Sequence, residues 1–235
     1  MNDGPTKVRA AGSRSFYVWT AFAIALIVFM GFSRTYYLKS FFGTEPLPLL
    51  LHIHGIVMTL WFALFLVQVC LVAAHRTDLH RKLGVIGAVL AVLVVVLGTR
   101  VIIVRDRLHF SPGRSVAGLA FQLTIFLVFA GLVASALIFR RRGDVHKRLM
   151  LLACISILLP AIVRLPFEFI KGNILIGFAL IDLCVLLPVI IDTVKNRRLH
   201  WAFGWGALLI IVSEPLSLVL GTTRAWTGIG NWLMS

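Results

Sequence analysis

Long apolar runs alternate with short polar, basic breaks along nearly the whole chain. The runs cover about residues 16–32, 50–73, 80–104, 116–139, 145–170, 174–194 and 200–220. Most reach the roughly 20 residues that an α-helix needs to cross the hydrocarbon of a bilayer. They are continuously apolar and do not alternate with period two, which excludes a closed β-barrel, the other spanning structure whose backbone is satisfied in lipid. The pattern predicts an all-α fold, a polytopic transmembrane helical bundle of about seven spans. A basic arm over 1–15 precedes a seven-helix domain over 16–221, and a short tail covers 222–235. A first run this long, without a clear small-residue cleavage site, reads as a retained helix and not as a signal peptide.

The breaks themselves repeat. Asp78-Leu79-His80-Arg81-Lys82-Leu83 returns 66 positions later as Asp144-Val145-His146-Lys147-Arg148-Leu149. A weaker copy, Asn196-Arg197-Arg198-Leu199-His200, follows. The copies predict three helical hairpins after an N-terminal helix, each turning through a basic hinge and opening its second helix with a histidine. Asp78 and Asp144 stand where an N-cap would accept hydrogen bonds from free backbone N–H groups. Pro160 predicts a kink in the fifth helix, and Pro112-Gly113 a loop between the third and fourth.

Composition agrees: 60% of residues are hydrophobic and 14% charged. The formal charge of +14 invites a nucleic-acid reading. It is excluded, because no basic soluble domain exists to carry it. Fourteen of the 23 lysines and arginines lie on the N-terminal arm (Lys7, Arg9, Arg14) and in the three hinges. The positive-inside rule then makes the arm and hinges cytoplasmic and, with seven spans, puts the C-terminus outside. Cys70, Cys154 and Cys184 all lie in apolar runs, without a CxxC or CxxCH, and read as buried thiols.

Polar groups at membrane depth are costly and are candidates for function. His80 heads a face of small residues, Gly84, Gly87, Ala91 and Gly98, that lets another helix or a flat ring approach. His146 shares a face with Arg164 and Glu168, which are spaced as an i,i+4 ion pair near the opposite surface. His200 shares a face with Glu214. His54 heads a stripe with Met58, Trp61, Phe65 and Gln68, and Asp182 is central in the sixth helix, with Gln122 of the fourth a candidate neighbour. Neutral imidazole binds haem iron, and a b-type haem needs two histidines from different helices on one membrane side. His80, His146 and His200 meet that requirement. His54 lies at the other end, where its available partner, His109, sits in a loop.

The segment His52-x-His54 … Gln68 … His80-Arg-Lys-Leu-Gly84 resembles uncharacterised bacterial membrane-protein families with a His-[Arg/Lys]-x-Leu-Gly signature. His146-Lys-Arg-Leu-Met150 resembles another, with His-Arg-x-Leu-Met. More distantly, the arrangement is similar to the di-haem cytochrome b membrane reductases, in which successive helices supply histidines to two haems. The resemblance covers about residues 50–165. It implies a bacterial inner (plasma) membrane and haem-based electron transport. The chain departs from the di-haem pattern in that its fourth helix holds no histidine.

Three readings follow. In the first, the chain is a redox protein holding one haem b between His80 and His146, with His200 an alternative ligand and a quinone or small reductant as partner. In the second, it is a proton-coupled small-molecule transporter whose path is lined by Asp182, Glu214, Arg164 and Glu168. In the third, it is a cofactor-free structural or assembly protein of the membrane. No G-x-S-x-G or H-E-x-x-H occurs to suggest a hydrolase.

Overall fold

A computed structural model describes residues 5–109, 116–170 and 173–234, with side chains from Ser15 onward. The side chains of Lys7, Arg9 and Arg14 and the Pro112-Gly113 loop lie outside the described residues. Nine α-helices are present among those described: α1 Pro5–Phe32, α2 Leu49–Ala73, α3 Thr77–Leu108, α4 Ala117–Ile138, α5 Gly143–Ser156, α6 Leu159–Ile162, α7 Ile174–Asn196, α8 Trp201–Gly221 and α9 Arg224–Met234. A π-helical turn, Ser33–Tyr37, continues α1.

Six segments are long and apolar enough to cross a membrane: Ser15–Tyr37, α2, α3, α4, α7 and α8. Their outward faces carry large exposed hydrophobic side chains, among them Trp19, Leu60, Val85, Leu127, Ile190 and Leu216. An apolar exterior of this extent belongs in lipid. The chain is an integral membrane protein.

The fifth expected span is where structure and sequence part. One helix over residues 145–170 was expected, kinked at Pro160. The helix instead stops at Ser156 and resumes for one turn at Leu159. Pro160 has no N–H to give the Ser156 carbonyl four residues earlier, and its ring crowds the preceding turn. The α5–α6 segment is also the most deeply buried part of the chain. Leu151, Leu152, Ala153, Cys154 and Leu158 are fully enclosed, and Ile155 and Ile162 nearly so. It runs through the interior, against α4 and α8, with α1 and α7 closing the other sides.

Lipid is as apolar as leucine, so these contacts depend on close packing and not on water exclusion. Two glycines set the approach. A Cβ on Gly31 would collide with the backbone of Ala161, so α1 meets α6 backbone to backbone. A Cβ on Gly206 would meet Leu152, so α8 lies close on α5. The small face predicted for α3 packs on α2 and α4: Gly87 faces Leu64 and Gly98 faces Phe126.

Two further differences concern the ends. The backbone is helical from Pro5, so most of the expected basic arm extends α1. Within the tail, α9 packs on α3, α4 and α8, held by Trp226 Nε1 donating to the Val116 carbonyl (3.0 Å) and Arg107 Nε donating to the Leu233 carbonyl (2.7 Å).

Candidate functional site

The three hinges meet at one end of the bundle. The first is built by backbone geometry. His75 adopts a left-handed conformation (φ 60°), and Arg76 N–H returns to the Leu71 carbonyl at 2.8 Å. This is the Schellman stop of a helix. After Arg76, α3 begins, and His80 is its fourth residue. In the second hinge Arg142 precedes α5, and His146 is again the fourth residue. The repeat therefore delivers two histidines at the same register on two helices. Neither aspartate caps as expected: Arg76 and Arg142 hold the N-cap positions, and Asp78 and Asp144 lie in the first turns. There they oppose the positive end of the helix dipole.

His80 and His146 are brought together. Their half-buried rings lie 6.2 Å apart, centre to centre, at 83° to one another. Nδ1 of His146 is 2.8 Å from the carbonyl of Ala136, at the end of α4. A carbonyl only accepts, so Nδ1 carries a proton, and in the neutral ring Nε2 is the nitrogen with the lone pair. Nδ1 of His80 is buried without a hydrogen-bond partner. One turn on, a Cβ added to Gly84 would find only Gln68 Nε2, at 3.9 Å.

His200 is placed differently. As the N-cap of α8 its Nδ1 accepts from Ala202 N–H at 3.2 Å, while Nε2 meets Asp144 at 3.0 Å. Both nitrogens are engaged, and the ring ties the third hinge to the second. The same contact holds the half-exposed Asp144 carboxyl below the usual carboxylate range. His54 lies toward the far end of α2, 14 residues before Gln68, or roughly 21 Å along the helix. Its Nδ1 is buried without a partner, as are Trp61 Nε1 and Gln68 Oε1 on the same stripe. His109 turns Nδ1 to the Arg105 carbonyl at 2.8 Å.

The helix expected to space Arg164 and Glu168 one turn apart does not reach them. The helix ends at Ile162; Arg164 donates to the Pro160 carbonyl and lies over the Phe32 ring at 5.2 Å. Gln122 does not join Asp182. It meets Arg105 at 3.3 Å and Asp106 at 3.5 Å. Asp182 is partly buried in α7, with Oδ1 unpartnered. Glu214, at 8% exposure, faces a small cavity beside the α5–α6 break.

Sequence reasoning missed one pair. Arg148 of α5 and Asp192 of α7, each 5% exposed, form a bidentate ion pair with N–O distances of 2.8–3.0 Å. Arg148 also donates to the Asp144 carbonyl (2.7 Å) and lies over the Phe203 ring (5.6 Å). Its signal was present as the second basic residue of the repeat, where it reads as one more headgroup contact. Asp192 sits near the end of an apolar run with nothing to mark its partner. Tyr17 belongs to the same end, under Lys147 at 4.9 Å.

No family model, curated protein or solved structure matches the chain.

Proposed function

We propose that this membrane protein is a b-type haem-binding redox protein, with His80 and His146 as the residues that would hold the haem iron. The observation that carries the reading is the facing of these two rings from separate helices. Their ring centres lie 6.2 Å apart, edge to face, near enough for both imidazoles to serve one group, and neutral imidazole binds haem iron. The residues fit such a group in three further ways. The Ala136 carbonyl fixes the His146 tautomer, the usual outer support of a ligating histidine. The buried Nδ1 of His80 lacks a partner that a protein rarely denies it. Gly84, one turn on, would meet only Gln68 Nε2, at 3.9 Å, if it carried a Cβ, so no side chain of its own fills that face.

The haem would supply reversible one-electron chemistry, exchanged with a quinone or small reductant. The chain would hold and orient it and surround it with apolar helices that tune its potential. Exposed Arg81 and Lys82 would complement its carboxylates. In this reading α5–α6 is a seventh crossing and the chain lies in a bacterial inner membrane. The hinges and N-terminus are cytoplasmic and α9 is outside, in keeping with the basic hinge end.

The test is an oxidised-minus-reduced visible spectrum of detergent-purified protein expressed with haem supply. A sharp reduced α-band at near-stoichiometric haem is expected, lost in His80→Ala and His146→Ala and retained in His200→Ala and His54→Ala. A colourless, monodisperse protein would sink the reading.

A second reading, a proton-coupled carrier, is favoured by the α5–α6 break. Discontinuous helices at the centre of a bundle expose backbone carbonyls where transporters hold ions.

A further inference from the structure

The cavity beside the break contains about 20 Å³ of free space, room for one water-sized occupant. Its lining comes from α4, the α5–α6 break, α7 and α8. The oxygen-bearing side chains are Thr124, Ser156, Ser213, Glu214 and Ser217. What matters is where the hydroxyl protons go. Thr124 donates to the Ala120 carbonyl at 2.8 Å and Ser156 to Ala153 at 2.9 Å. Ser213 donates to Ile210 and Ser217 to the backbone carbonyl of Glu214, both at 2.7 Å. Each hydroxyl has one proton, and all four are spent on their own helices.

Only lone pairs are therefore left to face the cavity. Glu214 faces the same space, more than nine-tenths buried, with no hydrogen bond or ion pair to its carboxylate among the described residues. Pro160 leaves the Ser156 carbonyl without its helical donor. A carboxylate ringed by lone pairs in a low-dielectric interior is costly by several kcal/mol unless a positive charge joins it. Water would donate hydrogen bonds but would not balance the charge.

We propose that this cavity is a binding site for a small, hard monovalent cation of sodium size, held by the Glu214 carboxylate and by hydroxyl oxygens of Thr124, Ser156, Ser213 and Ser217. Hard cations take oxygen ligands of this kind, and one charge matches one carboxylate. The cation joins α4, α8 and the two halves of the broken helix. The site stands on this geometry alone and does not require a haem or a transported solute.

The experiment is thermal unfolding of the detergent-purified full chain at pH 8 and constant ionic strength, with sodium exchanged against choline. A saturable rise in Tm of roughly 5–10 °C is expected at a hundredfold excess of sodium over its Kd, with a smaller rise for potassium. Glu214→Gln is expected to abolish the sodium response. Ser217→Ala and Thr124→Ala are expected to fold and to move the titration midpoint about tenfold or more to higher sodium, so the test survives if Glu214→Gln does not fold. Equal Tm in sodium, potassium and choline, or a Tm that follows pH alone because a proton on Glu214 suffices, would overturn the site.

Discussion

Arg148 shows how much one side chain can be asked to do. Its guanidinium is buried against Asp192, the Asp144 carbonyl and the Phe203 ring, so its edge is hydrogen-bonded while an aromatic ring lies against the planar group. Removing one partner of a buried pair leaves an uncompensated charge, at a cost of about 3–5 kcal/mol, whereas replacing both by apolar groups costs far less. Arg148→Met and Asp192→Leu are each expected to lower stability by about that amount. The double variant is expected to recover most of it, in thermal unfolding of the purified protein. A double-variant loss equal to the sum of the two single losses would mean that the pair is not coupled. The sequence showed both residues and not their relation, because 44 positions separate them and helix registers do not specify which faces of α5 and α7 meet. The His80–His146 pair was more legible, since a repeat that fixes register on two hairpins also fixes depth.

At the scale of the element, helix boundaries follow from local chemistry. Six apolar runs became helices, five of them within a few residues of both expected ends and α1 with its start carried back to Pro5. The exception, α5–α6, fails for a reason written in Pro160, but a proline alone predicts a kink or a break equally. Only the surrounding helices, which accept an irregular backbone when it is buried in protein, decide for the break. The α2 stop is a separate case. His75 occupies a left-handed position that favours glycine, at a cost of about 1 kcal/mol for a side chain with a Cβ. His75→Gly is expected to stabilise the protein by about that amount without changing the spectrum or the sodium response. A loss of stability would show that the His75 ring matters more than its backbone.

For the whole molecule, the broken helix is enclosed by segments made before and after it, and this has a consequence for biogenesis. Residues 143–162 are short, open with Asp144, Lys147 and Arg148, and make a poor insertion signal on their own. The carboxylate that neutralises Arg148 is synthesised 44 residues later, a few seconds at about 5–20 residues per second. During that interval α5 has no charge partner, and α8, against which it packs, does not yet exist. A nascent chain arrested so that only the residues before Asp192 have left the ribosome is expected to leave a cysteine placed at Leu152 open to a membrane-permeant thiol reagent. The completed chain, on a Cys70, Cys154 and Cys184 replaced background, is expected to protect it. Protection already at the shorter length would mean that α5 docks without its partners. On this expectation the segment at the heart of the bundle, translated in the middle, seats only after Asp192 and α8 have followed, and quality control in the cell would meet this protein as a chain with an unclaimed arginine.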